Sequence, residues 1–150
     1  MKNKYTIKEL LDSVDDLEKV YKEFKDYFTK EDIKYAIDKE LELGSLYKYL
    51  ADKFDNELIK YAINNTIRLD RLYYYLGYKF DKFDKALIKY AIDKKADLEH
   101  LYYYLSDKFD EELIQYAIDK KADLNDLREY VLNRSRWWIK KLYEEKINEK

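Results

Sequence analysis

The sequence predicts an all-α fold, a short α-solenoid of about five tandem 26-residue helical hairpins closed by a C-terminal capping helix. Three observations predict it. Proline is absent and glycine occurs only at Gly44 and Gly77, so little interrupts helix over long stretches. One block of sequence recurs at a near-fixed period. Within each block the apolar residues fall at helical rather than strand spacing.

The copies occupy residues 3–28, 29–54, 55–80, 84–109 and 110–135, and the chain runs on into a capping helix at about 127–148. A marker position falls at Leu10, Ala36, Ala62, Ala91 and Ala117, giving spacings of 26, 26, 29 and 26. The longer step places three extra residues around Asp81, Lys82 and Phe83. Each copy reads as two short helices. The first begins at Thr29, Asp55, Asp84 or Asp110, side chains that accept hydrogen bonds from free N–H groups at a helix start. In the copy at 84–109 its stripe is Leu87, Ile88, Ala91 and Ile92. The stripe breaks at Lys95-Ala96-Asp97, where Asp97 is placed to cap the second helix. That helix puts Leu98, Leu101, Leu105 and Phe109 within about 80° of one another at 100° per residue. Two helices this short cannot bury both stripes alone, so neighbouring pairs must stack. Both ends depart from the pattern, as terminal repeats do: Glu9-Leu10-Leu11 replaces Tyr-Ala-Ile in the first copy, and the last continues through REYVLNRSRWWIKKLYEEKINEK.

Composition narrows the function classes. The 30 basic and 32 acidic residues leave a net charge of −2, against the basic excess of a dedicated nucleic-acid binder. Cysteine is absent, which removes disulfides, thiolate metal sites and cysteine nucleophiles. The N-terminus lacks the apolar core of a signal peptide, and no run of about 18 apolar residues spans a membrane, so a cytoplasmic protein is expected. The single histidine, His100, sits where other copies carry Lys19, Ser45, Arg71 and Asp126, a solvated position without a role. With no glycine-rich loop, no second histidine and no recognisable nucleophile–base pair, neither an enzyme nor a cofactor is expected. Asp12, Asp15, Asp16 and Glu18 form an acidic cluster read as caps at the first hairpin turn, without the spacing of a calcium loop.

The segment LYYYL, at 72–76 and again at 101–105, raises the question of which tyrosines are structural. On a helical wheel Tyr102 borders the core stripe, Tyr104 flanks it and Tyr103 points away. The Tyr103 position reads Lys22, Lys48, Tyr74 and Glu129 in the other copies, which marks it as solvated. Tyr74 and Tyr103 are therefore expected as surface aromatics on consecutive repeats, with Lys48 in the same column. A second tyrosine series, Tyr35, Tyr61, Tyr90 and Tyr116, precedes the marker alanines and is expected to pack between repeats with its hydroxyls at the edge. Near the C-terminus, Trp137 and Trp138 stand among Arg134, Arg136, Lys140 and Lys141, a basic-aromatic anchor or a cap over the last hairpin.

These features predict a non-enzymatic protein-binding module, an adaptor or inhibitor, with Tyr74, Tyr103, Lys48, Arg134, Arg136, Trp137, Trp138, Lys140 and Lys141 as candidate partner contacts. Lysine outnumbers arginine 25 to 5, as in AT-rich coding, which fits a low-GC bacterium or its phage and an inhibitor of a bacterial defence complex. The alternatives are nucleic-acid backbone binding through the basic-aromatic stretch and homo-oligomerisation through an end repeat.

Overall fold

A computed structural model describes residues 5–120 together with 144 and 145. The described residues are helices and turns without a strand. None of the helices is long and apolar enough to cross a membrane.

The chain divides into two compact units, Met1–Phe80 and Asp81–Lys150. In the first unit, α1 (Ile7–Ser13) starts at Thr6 and α2 (Leu17–Glu23) at Asp16, each cap accepting from the N–H three residues on. The next helix, α3 (Lys30–Asp38), opens with a reciprocal capping box: Thr29 Oγ1 accepts from Asp32 N–H and the Asp32 carboxylate accepts from Thr29 N–H. It is followed by α4 (Leu43–Tyr49) and by α5 (Asn56–Asn65), where Asp55 accepts from Leu58 N–H at 2.9 Å. The last element, α6 (Leu69–Leu72), runs directly into a π-helical segment, Tyr73–Lys79. First helices pack on first helices, α1 on α3 and α3 on α5, while α2, α4 and α6 form a parallel row of second helices.

In the second unit, α7 (Lys85–Asp93) is capped by Asp84 and packs on both α8 (Leu98–Tyr104) and α9 (Glu111–Asp119), the last capped by Asp110. The four caps expected at Thr29, Asp55, Asp84 and Asp110 are thus present. Asp97 is not such a cap. It stands before α8 with a left-handed φ of 48°, and its carboxylate lies 2.7 Å from His100 Nδ1 instead of on a backbone N–H. Glu40, Glu42 and Lys95 share the positive φ, so the turns before α4 and α8 hold two left-handed residues each without glycine.

The core follows the predicted stripes. Ile33, Ala36 and Ile37 of α3, Leu58, Ile59 and Ala62 of α5, and Leu113, Ile114, Ala117 and Ile118 of α9 are all enclosed. Each fully buried Leu or Ile contributes about 1.5–3 kcal/mol relative to exposure. The tyrosine beside each second-helix stripe is also core: Tyr21, Tyr47, Tyr73 and Tyr102 are buried. Tyr21 donates its hydroxyl to the Leu41 carbonyl, tying α2 to the turn before α4. Tyr47 is enclosed beside the Thr66 side chain, and burial pushes its phenol well above the ordinary range. Three of these rings meet a phenylalanine two turns on: Tyr21 with Phe28, Tyr47 with Phe54 and Tyr102 with Phe109, at centroid distances of 5.7, 5.6 and 5.2 Å.

Those phenylalanines reveal how the longer repeat is built. Phe28, Phe54 and Phe109 each follow a single 3₁₀ turn and are buried just before the next first helix. In the 29-residue step, the extra residues were expected at Asp81–Phe83, with Phe80 closing the stripe. Instead Phe80 is 40% exposed and Phe83 is 1% exposed. The added length is taken up by the π-helical segment, which continues the second helix through Gly77, Tyr78 and Lys79. Phe83 then stands before α7 as Phe54 stands before α5.

Candidate binding surface

The two faces of the helix rows differ in how far they satisfy themselves. On the first-helix side, three of the four tyrosines of the second series, Tyr35, Tyr61 and Tyr116, reach back 23 residues to an aspartate. Tyr35 donates to Asp12 at 2.7 Å, Tyr61 to Asp38 at 2.6 Å and Tyr116 to Asp93 at 2.7 Å. Lysines lie over the same rings: Lys8 and Lys39 over Tyr35, Lys34 over Tyr61, and Lys89 and Lys120 over Tyr116, all within 6 Å of the centroid. Beside this ladder run ionic clasps. Lys30 reaches Asp55 at 2.5 Å and Lys34 reaches Glu57 at 3.3 Å. In the second unit Lys85 reaches Asp110 at 2.5 Å and Lys89 reaches Glu112 at 2.6 Å. Exposed pairs of this kind add little stability, but they fix the register in which one helix lies on the next.

The electrostatics follow from those contacts. The hydrogen bond to Asp38, reinforced by burial, pushes the Tyr61 phenol up to about 12, and Asp93 does the same for Tyr116. The Lys30 ammonium holds the Asp55 carboxyl below its usual value. Burial raises the Asp110 carboxyl, but Lys85 and the Leu113 N–H outweigh it and leave it lowered. A phenol held above its unfolded value of about 10 favours the folded chain below that pH, and the contribution is lost as pH rises through the folded value. The lowered carboxylates act in the opposite window, contributing above about pH 4 and losing their effect on acidification. In a ¹³C-tyrosine NMR titration, Tyr61 and Tyr116 are therefore expected to ionise near the top of the series, at about 12. Asp38→Asn is expected to bring Tyr61 alone back toward its ordinary value; an unmoved Tyr61 would show that the carboxylate is not the cause.

The second-helix side is different. In the first unit an aromatic strip runs along α2, α4 and the π-helical segment. Tyr49 donates to Glu18 at 3.0 Å, and Lys48 lies 5.1 Å above the Tyr49 ring. Tyr49 is the first influence on the Lys48 ammonium, raising it, and Tyr75 and Glu18 add to the effect. Tyr75 meets Tyr74 edge-on at 4.8 Å, and Tyr74 stacks on Tyr78 at 6.0 Å with 25° between the planes. Tyr78 is 60% exposed. In the second unit a separate cluster forms on α8. Tyr103, 61% exposed, meets Tyr104 edge-on at 4.9 Å, and Tyr104 stacks on His100 at 6.1 Å. His100 is thus a half-buried member of an aspartate–histidine–tyrosine row rather than a bare solvated residue.

Of the residues proposed from sequence, Tyr103 and Lys48 are exposed as expected. Tyr74 is only half-buried, because Tyr75 and Tyr78 flank it. Arg134, Arg136, Trp137, Trp138, Lys140 and Lys141 lie outside the described residues. The acidic cluster has separable tasks: Asp16 caps α2, Asp12 receives Tyr35 and Glu18 receives Tyr49. Tyr78 and the flanking Arg71 were missed because placing the extra residues at Asp81–Phe83 set Tyr78 in a polar column with Asp26, Asp52, Asp107 and Asn133, and Arg71 was likewise read only as a polar column. Among the described residues no group of three His, Cys, Asp or Glu side chains is arranged to hold a metal ion. Neither a family model nor a curated protein nor a solved structure matches the chain.

Proposed function

We propose that the chain is a helical-repeat solenoid and serves as a non-enzymatic protein-binding module, an adaptor or inhibitor whose contacts lie on the second-helix side of each unit. The observation that carries this reading is the contrast between the faces. On the first-helix side Tyr35, Tyr61 and Tyr116, and Lys30, Lys34, Lys85 and Lys89, are engaged with carboxylates of the neighbouring helix or its cap. The second-helix side instead presents Tyr78 and Tyr103 with most of their surface open. Exposed tyrosines supply large contact area at little conformational cost and are enriched where proteins meet. Arg134, Arg136, Trp137, Trp138, Lys140 and Lys141 are a further candidate contact by composition.

The test is affinity capture from a bacterial lysate with the wild-type chain, the Tyr74→Ala, Tyr103→Ala double variant and the Trp137→Ala variant. Circular dichroism verifies that each stays helical. The expected result is a nuclease-resistant protein retained by wild type and lost from a folded variant. Nuclease-sensitive material alone would replace this reading with nucleic-acid binding, and an unchanged set on every folded variant would remove these aromatics from the interface.

A further inference from the structure

We infer that the outer face of the π-bearing second helix in the first unit docks an acidic peptide segment carrying aromatic or aliphatic anchors, an inference that rests on the protein-binding reading above. Arg71, Tyr74, Tyr75, Tyr78 and Lys79 recur at the spacing that places side chains on one side of a helix. The ring contacts confirm the grouping for the three tyrosines. Lys48 joins them from α4, close enough for Tyr75 to act on its charge. Arg71 and Lys79 are exposed and form no ion pair among the described residues. The lysines of the first-helix clasps, by contrast, are all matched to carboxylates. The Arg71 stem passes over Gly44, its Cδ 3.7 Å from where a Cβ would stand. That contact lays the arm of Arg71 against the start of α4, the helix that carries Lys48.

A second observation points to the same place. The other described repeats leave the second helix through one 3₁₀ turn and a buried phenylalanine. This repeat extends it by a π-helical segment, and the extension is what supplies Tyr78, Lys79 and the part-exposed Phe80. π-Helical turns are seldom stable without compensation and recur at functional sites. Tyr73, Leu76 and Gly77 of this segment stay in the core, while Tyr78, Lys79 and Phe80 face outward and enlarge the patch.

Charge complementarity selects the occupant. Three cations around a tyrosine cluster suit carboxylates at the rim and apolar side chains on the rings. A nucleic-acid backbone is a poorer fit, since its affinity grows with the number of phosphates neutralised.

The experiment measures anisotropy of three fluorescein-labelled probes on the full chain: a peptide of four Glu-Glu-Phe units, its Lys-Lys-Phe counterpart, and a twelve-nucleotide oligodeoxythymidine. The acidic peptide is expected to bind in preference to both others. An Arg71→Gln, Lys79→Gln variant and a Tyr78→Ser variant are each expected to weaken it by about tenfold or more. Arg71→Lys, Lys79→Arg, which keeps the charge, is expected to retain binding. All these positions are exposed, and circular dichroism melting confirms the fold of each variant. Equal binding of the two peptides, tighter binding of the oligonucleotide, no binding of the acidic peptide, or unchanged affinity in the folded variants would each overturn the inference. If the acidic peptide fails while lysate capture still depends on Tyr74 and Tyr103, only the peptide chemistry falls. If both fail, the protein-binding reading falls with it.

Discussion

Phe83→Ala is expected to destabilise the chain by about 3–5 kcal/mol, while Phe80→Ala, three residues earlier, changes stability by no more than about 0.5 kcal/mol. The two rings sit in the same local sequence, KFDKF, but only Phe83 is enclosed. Truncating it removes the transfer free energy of a whole ring and leaves a cavity that its neighbours refill only in part. Truncating Phe80 removes a part-exposed ring beyond the π-helical segment. Denaturant titrations of the two single variants decide the matter. Equal losses, or the larger loss at Phe80, would return the extra residues to Asp81–Phe83 and the π-helical segment to the ordinary helix.

Ala36→Leu is expected to cost about 1–3 kcal/mol, the effect of forcing extra methylenes into a filled site. Ala36 has no exposed surface, and its helix α3 is packed on α1, α4 and α5 at once. There is no open side toward which a larger side chain can turn. Leu10 occupies the same column in the first copy, where α1 packs on α2 and α3 and Leu10 keeps part of its surface open. The same substitution in reverse, Leu10→Ala, is therefore expected to cost less. Paired thermal melts test the ranking, and a larger loss at Leu10 would show that the column is not limited by space.

The helical pairs, their caps and their stripes were legible because repetition supplies its own comparison. Five copies of each column separate a core tyrosine such as Tyr47 from a solvated one such as Tyr103. Where the columns are misaligned, that comparison misleads. With the extra residues placed at Asp81–Phe83, Tyr78 and Lys79 were compared with the wrong columns, and the exit from the second helix there was misread. The thrice-repeated Asp-Lys-Phe-Asp, at 52–55, 81–84 and 107–110, carries the better alignment, since it aligns Phe83 with Phe54 and Phe109. Asp97 shows another limit. An aspartate before a helix usually caps it, but a left-handed backbone turns the side chain away, and His100 offers a nearer partner. The pairing of Tyr61 with Asp38 was foreseen only as packing with an edge hydroxyl, because residues 23 apart are joined by the stacking of α3 on α5 rather than by local spacing.

That short reach has a consequence for how the first unit is made. Tyr35 finds Asp12 and Tyr61 finds Asp38 across 23 residues, Tyr21 finds Leu41 across 20, and Tyr49 finds Glu18 across 31. Contacts this close in sequence close small loops, and chains dominated by them fold fast. The α1–α2 pair, once joined by α3 and α4, already holds three of those four links. Ordered structure can thus accumulate hairpin by hairpin from the N-terminus while the remainder of the chain is still being synthesised.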